Sequence, residues 1–186
     1  MSTGLHLTSA EFERMVERGA FDHLHRKIEL IRGELREMNP ADPIHDDLIT
    51  YLTNWSARAT SPELIIVTSQ TGLNLDELES RPEPDLMWLR PKRYRGRHPS
   101  ASDVLLAIEV SYSSLQSDLR EKAELYAEAG IVEYWIVDAN DKCVHVFRNP
   151  TQRQYSDRRI VAIGERLSPM NASDVSLNIH ELFLGE

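Results

Sequence analysis

The chain has 186 residues, with Lys plus Arg at 21, Asp plus Glu at 30 and a formal charge of −9. That length predicts a single domain, 1–186 with its core over about 10–184, large enough to bury roughly 70% of its unfolded surface without disulfides or a structural metal. The acidic balance argues against a molecule coated in DNA-binding surface; the lone Cys143 forbids an internal disulfide and disfavours a thiolate zinc site; no apolar run approaches a membrane span.

Residues 9–16 read as a short helix, capped by Thr8 or Ser9, with Phe12, Met15 and Val16 as its apolar face. Residues 27–38 suggest two short strands about a turn at Arg32-Gly33. Residues 39–43 form a rigid, proline-bearing connection. A helix over 44–59 follows, because Ile44, Leu48, Tyr51, Leu52 and Trp55 recur at helical spacing. Strands are predicted over 64–69 and, briefly, 72–75, then a loop over 77–84 and a strand over 85–89. Residues 104–110 are apolar until Glu109, which fits a central strand covered on both faces. A helix over 118–129 ends at Gly130. Strands over 132–138 and 143–148 form a hairpin, followed by a strand over 159–163 and a final strand and helical turn over 175–184. The order predicts an α/β domain with a mixed central sheet flanked by helices. Cys143 lies in an alternating strand pattern and reads as a buried structural thiol, and Trp55, Trp88 and Trp135 as packing residues.

Pro84-Asp85 opens one strand, and Glu109 lies near the end of the next long one. A carboxylate within an apolar strand must reach the sheet's end, pair with a cation or bind metal. If the strands are neighbours, Asp85 and Glu109 converge on one point, and two oxygen ligands with waters suit Mg²⁺ or Mn²⁺. Asp118 and Lys122 share a helical face with Tyr126 one turn on. Two readings stay open for Lys122: a surface pair with Asp118, or a cation aimed at the acids. Arg90, Lys92, Arg93, Arg95 and Arg97 form a basic run after the Asp85 strand. It reads either as a solvated loop or as a contact with flanking phosphates.

Pro84-Asp85, Glu109-Val110-Ser111, Asp118, Lys122, Tyr126, Gly130 and Glu133-Tyr134-Trp135-Ile136-Val137-Asp138 form an ordered set. With Glu29-Leu30-Ile31-Arg32-Gly33-Glu34-Leu35, Met38 and His45, it resembles the putative restriction endonuclease family, formerly a domain of unknown function, of the PD-(D/E)XK nuclease superfamily.

The resemblance implies a restriction-endonuclease-like fold and Mg²⁺-dependent endonucleolytic hydrolysis of DNA phosphodiester bonds. Asp85, Glu109 and the Val110 carbonyl are the implied metal ligands. The superfamily's usual lysine position, two after the glutamate, holds Ser111 here, so the resemblance moves the lysine to Lys122 on the next helix. Tyr112-Ser113-Ser114 also departs from the relatives' usual Ser-Pro-Ser. Glu29 or Glu34 is the further acid, with Glu29 favoured. His45 either contacts substrate or orients a carboxylate, or is a surface histidine at a helix start. Gln70 orients water or reads a base edge, or is an ordinary polar strand residue. Duplex DNA is the implied partner, a homodimer suits two-strand cutting, and the expected location, with no apolar leader, is cytoplasmic. The alternatives are a non-catalytic nucleic-acid-binding module on the same fold, or a metallohydrolase acting on another phosphoester.

Overall fold

Thr8 opens the first helix, α1 (Ser9–Glu17), by a reciprocal cap. Its hydroxyl accepts the Glu11 N–H at 3.2 Å, and the Glu11 carboxylate accepts the Thr8 N–H at 2.9 Å. The structure, a computed structural model, describes residues 5–24, 26–38 and 42–185, so most of the predicted 39–43 connection lies outside the described residues.

Strands β1 (Ile28–Ile31) and β2 (Glu34–Glu37) pair around Arg32 and Gly33, whose φ values of 51° and 78° belong to the turn that matches strand twist. A Cβ at Gly33 would come within 2.0 Å of His6 Nδ1, so the backbone requires glycine there. Helix α2 (Pro43–Ala59) starts at Asp42, whose carboxylate accepts the N–H groups of Ile44 and His45. Pro43 fills the first turn, where no N–H is needed.

The main sheet has six strands in the order β3 (Ile66–Ser69), β4 (Leu86–Leu89), β5 (Val104–Ser111), β6 (Glu133–Asp138), β7 (Cys143–Thr151) and β8 (Gln154–Ala162). Only β5 and β6 run parallel, so the sheet is mixed, as its predicted hairpin implied. Every residue of β5 is buried. Leu106, Ile108 and Val110 face α2 and the C-terminal helix α5 (Ile179–Leu184), together with Trp88, Trp135 and Val137. Ala107 and Glu109, between them, face a second helix and the β1–β2 hairpin, where Ala107 packs with Met87, Ile136 and Tyr126. This is the expected α/β layering, with one sheet burying both faces.

Two sequence expectations change. Residues 72–75 are not a strand but a buried loop: the Leu73 and Asn74 N–H groups go to the carbonyls of Pro82 and Pro99, leaving no continuous ladder. The strand predicted at 159–163 starts at Gln154, because a tight turn pairs Thr151 with Gln154 and lets β7 and β8 run long. A small pair, β9 (Arg166–Leu167) and β10 (Leu177–Asn178), leads into α5. No helix among the described residues is long and apolar enough to cross a membrane.

The three tryptophans are packing residues. Trp55 stacks on Trp88 at 5.5 Å and lies 6.3 Å from Trp135. The buried Trp88 indole N–H donates to Ser56 Oγ at 2.8 Å. Ser56→Ala strands that N–H in the core, and an unfolding free energy lower by about 1–3 kcal/mol is expected in urea denaturation.

Candidate active site

The strand register brings the two predicted acids together. Leu86 pairs with Ile108 in the antiparallel β4–β5 ladder, so one step outward sets Asp85 opposite Glu109. Residues directly opposite share a face, with Cβ atoms roughly 4.5–5.5 Å apart. That face is the one carrying Met87 and Ala107, toward the helical segment that follows β5. Both acids are buried. Asp85 Oδ2 accepts the Val110 N–H at 2.8 Å and lies 3.4 Å from His45 Nε2. Glu109 Oε1 accepts from Lys122 Nζ and the Tyr126 hydroxyl, each at 2.9 Å. Asp85 Oδ1 and Glu109 Oε2 take no part in these bonds.

Lys122 arrives through an irregular helix. The segment runs as α3 (Leu115–Ser117), a wide π-helical turn (Asp118–Lys122) and α4 (Ala123–Glu128), so it begins earlier than the predicted 118–129. The Ala123 N–H reaches back five residues to the Asp118 carbonyl. Such turns recur at functional sites. The result decides between the two readings of Lys122: it is buried 2.9 Å from Glu109 and 3.4 Å from Glu29 Oε1, not a surface partner of Asp118. Asp118 instead accepts the hydroxyls of Ser111 and Ser114, both at 2.6 Å. Glu29 comes from β1 and accepts the Glu83 N–H at 2.6 Å, while Glu34 is exposed and pairs with Arg36.

Four buried carboxylates, those of Glu29, Asp85, Glu109 and Asp118, therefore surround one buried ammonium. Burial holds the Glu109 carboxyl well above the usual carboxylate range; Lys122 opposes that, and Asp85, Asp118 and Glu29 add to it. Burial works against the Lys122 charge, but Glu109, Glu29 and Asp118 outweigh it and raise the ammonium well above its ordinary value. His45 is raised by its contact with Asp85, against the opposing effect of burial. Burial, with Glu109 next, raises Tyr126, which stays a protonated donor.

A raised glutamate makes the folded state bind more protons than the unfolded chain. Its contribution to stability is complete below the ordinary glutamate value of about 4.3 and is lost as pH rises through the higher folded value. The metal-free protein is expected to lose stability over that window in urea titrations. Glu109→Gln should flatten the slope, and an unchanged slope in that variant would contradict the assignment.

The cluster opens into a cavity of about 570 Å³ lined by Glu29, His45, Gln70, Asp85, Glu109, Val110, Asp118 and Lys122. The donor set facing it is oxygen-rich and carries excess negative charge, which suits a hard divalent cation. Asp85 and Glu109, each with one carboxylate oxygen outside the bonds above, could hold one together with a neighbouring carbonyl such as that of Val110. Gln70 lies just beyond β3 with a φ of 47°, and its side chain accepts from Lys27 Nζ at 3.3 Å, so it is not an ordinary strand residue.

The basic run lies elsewhere. Arg90 leaves the end of β4 away from Asp85, and Lys92 and Arg97 pair with the buried Asp103. None of Arg90, Lys92, Arg93, Arg95 and Arg97 lines the cavity, because the direction of β4 carries the run away from Asp85. The cavity's cations, besides Lys122, are Arg26, Lys27 and Arg36, which the sequence reading missed. For Arg36 a signal existed: it faces Glu29 across the hairpin register. Another group of metal-competent side chains, Asp138, Cys143 and His145, lies outside this cavity.

Comparison with known proteins matches residues 9–180 to the family Uma2, described as putative restriction endonuclease. Among solved structures, the chain is similar to a putative nuclease belonging to DUF820 from Anabaena variabilis ATCC 29413. The TM-score is 0.73 at 17% identity, covering 95% of this chain and 97% of that one. That likeness shows a shared fold. No curated protein matches.

Proposed function

Because the chain belongs to the Uma2 family of putative restriction endonucleases, we propose that it is a Mg²⁺- or Mn²⁺-dependent nuclease that hydrolyses phosphodiester bonds in duplex DNA. The observation that supports this most is the gathering of four buried carboxylates around Lys122 at the mouth of a cavity. Structural ion pairs balance their charge; this cluster carries more acids than cations.

In this reading Asp85, Glu109 and the Val110 carbonyl would hold the metal, which would supply Lewis-acid polarisation of the phosphate and a more acidic water. The other residues prepare the site. The Val110 N–H and His45 fix the Asp85 carboxylate. Tyr126 and Lys122 fix the Glu109 carboxylate through one oxygen, which leaves the other for the cavity. Lys122, held 2.9 Å from Glu109 Oε1, serves as a charged donor that orients the attacking water or steadies the developing oxyanion. Arg26, Lys27 and Arg36, paired in the free protein with Glu37, Glu83 and both Glu34 and Glu121, would exchange those partners for the phosphates beside the scissile one. Two copies related by a two-fold axis would cut both strands of a duplex.

Supercoiled plasmid tests the proposal. Cleavage is expected with Mg²⁺ or Mn²⁺ and none in excess chelator. DNA affinity should fall steeply with salt, with a log–log slope of about −0.9 per phosphate contact. Cleavage indifferent to chelation, or intact plasmid with either metal, would sink it.

A further inference from the structure

The turn between β6 and β7 holds a side-chain cluster that the nuclease reading does not use. Asp138 ends β6, and its register partner Cys143 begins β7. His145 lies two residues beyond Cys143, so all three side chains project from one face of the sheet. Asp138 is completely buried. One of its oxygens, Oδ1, caps the turn by accepting the N–H groups of Asn140 and Asp141 at 3.0 and 3.1 Å. The other, Oδ2, has no hydrogen-bond partner although it is buried. A carboxylate oxygen left so costs free energy unless something else meets it.

What it faces is a set of metal ligands. His145 Nε2 lies 3.7 Å from Asp138 Oδ2, too far for a hydrogen bond. Cys143 Sγ lies 3.9 Å from the same nitrogen, a long hydrogen bond to sulfur, and one ligand atom from each of the three residues falls within 4.8 Å of the other two. Zinc bonds run to about 2.1 Å for nitrogen and oxygen and about 2.3 Å for sulfur. The sums, about 4.2 Å for the nitrogen–oxygen pair and about 4.4 Å for the nitrogen–sulfur pair, exceed both separations. One ion therefore reaches His145 and either neighbour without backbone movement.

We propose that Asp138 Oδ2, Cys143 Sγ and His145 Nε2 form a second metal site, for a divalent ion of the zinc class, with solvent completing its coordination. Sulfur and imidazole select a borderline-soft ion over Mg²⁺, so this site and the all-oxygen one sort different metals. The thiol gives up its proton to solvent on binding, and the neutral imidazole binds through Nε2 with its proton on Nδ1. Burial, then Asp138 and Asp141, pushes the Cys143 thiol up, so without the cation the sulfur stays protonated. The ion would clamp the start of β7 to the end of β6. The turn it clamps also braces the cavity, because Asn140 Nδ2 donates to the carbonyl of Tyr112, a cavity-lining residue, at 2.6 Å. The sequence reading disfavoured a thiolate zinc site because it counted cysteines; the hairpin register supplies the missing ligands.

The test is cobalt titration of the metal-stripped full chain, read by absorption. The parent is expected to bind one equivalent with a thiolate-to-cobalt charge-transfer band, displaced by Zn²⁺ and not by excess Mg²⁺. Cys143→Ser should abolish the band. His145→Gln and Asp138→Asn should weaken binding at least about tenfold, since losing even a hydrogen-bond partner of a ligand costs that much. Asp138→Asn keeps Oδ1 for the turn, so its fold is expected to survive. Asp85→Asn should leave the band unchanged, which separates this site from the nuclease centre whatever the plasmid assay returns. No band in the parent, or one unaffected by both His145→Gln and Asp138→Asn, would overturn the proposal.

Discussion

Asp85→Asn is expected to lower metal-dependent DNA cleavage by about 10²–10³-fold or more, without weakening the fold. Asparagine keeps the shape of the side chain, and its oxygen still accepts the Val110 N–H that Asp85 Oδ2 accepts now at 2.8 Å. What disappears is one negative charge and one anionic metal ligand. In metal-free buffer that removal relieves repulsion, because Asp85 is among the charges holding the Glu109 carboxyl high. The variant should therefore unfold at the same urea concentration as the parent or a higher one. Added Mg²⁺ should raise the parent's melting temperature by mass action and leave the variant's where it was. Single-turnover cleavage and calorimetric metal titration make the comparison. Parent-like cleavage by the variant would remove Asp85 from the chemistry. A marked loss of stability would instead make it a structural acid.

Lys122→Met should be the most destabilising single change in the cavity, at about 3–5 kcal/mol. The ammonium is the buried cation in contact with Glu109 at 2.9 Å and Glu29 at 3.4 Å. Methionine fills similar volume, so the loss reports uncompensated charge and not a cavity. Without the cation, Glu109 keeps its proton to still higher pH. The penalty is then small below the ordinary glutamate value of about 4.3 and grows as pH rises. Adding Glu109→Gln removes the stranded charge and should recover more than half of the loss, a coupling that a double-mutant cycle measures. A Lys122→Met variant within about 0.5 kcal/mol of the parent, the scatter of surface substitutions, would mean the ammonium balances nothing.

The acids were readable because the pattern around them is so regular. Asp85 and Glu109 sit at the margins of apolar strands, and alternation along β4 and β5 fixes the face each one takes. The approach of Lys122 was not readable in the same way. Helical spacing relates it to Asp118, but its inward aim follows from the wide turn, which rests on a hydrogen bond from Ala123 to Asp118 and not on composition. The placement of the basic run was not readable either. Its charge was plain, but a strand has two ends: Asp85 precedes β4 and Arg90 follows it, about 16 Å apart at strand rise. Arg26, Lys27 and Arg36 escaped notice because they are spaced through an ordinary hairpin, where only the Glu29–Arg36 register exposes a shared face. Cys143 looked inert alone, since its neighbours Asp138 and His145 join it only once the hairpin closes.

The five-residue hydrogen bond at Asp118–Lys122 has a consequence for how this protein tolerates change. One surplus residue in a helix advances everything after it by about 100° around the axis. The anchoring half, where Leu125, Tyr126 and Ala127 are buried, is thereby set in phase independently of the half that begins at Leu115. Deleting one residue from the wide turn would leave a straighter, more regular helix and a lysine pointing the wrong way.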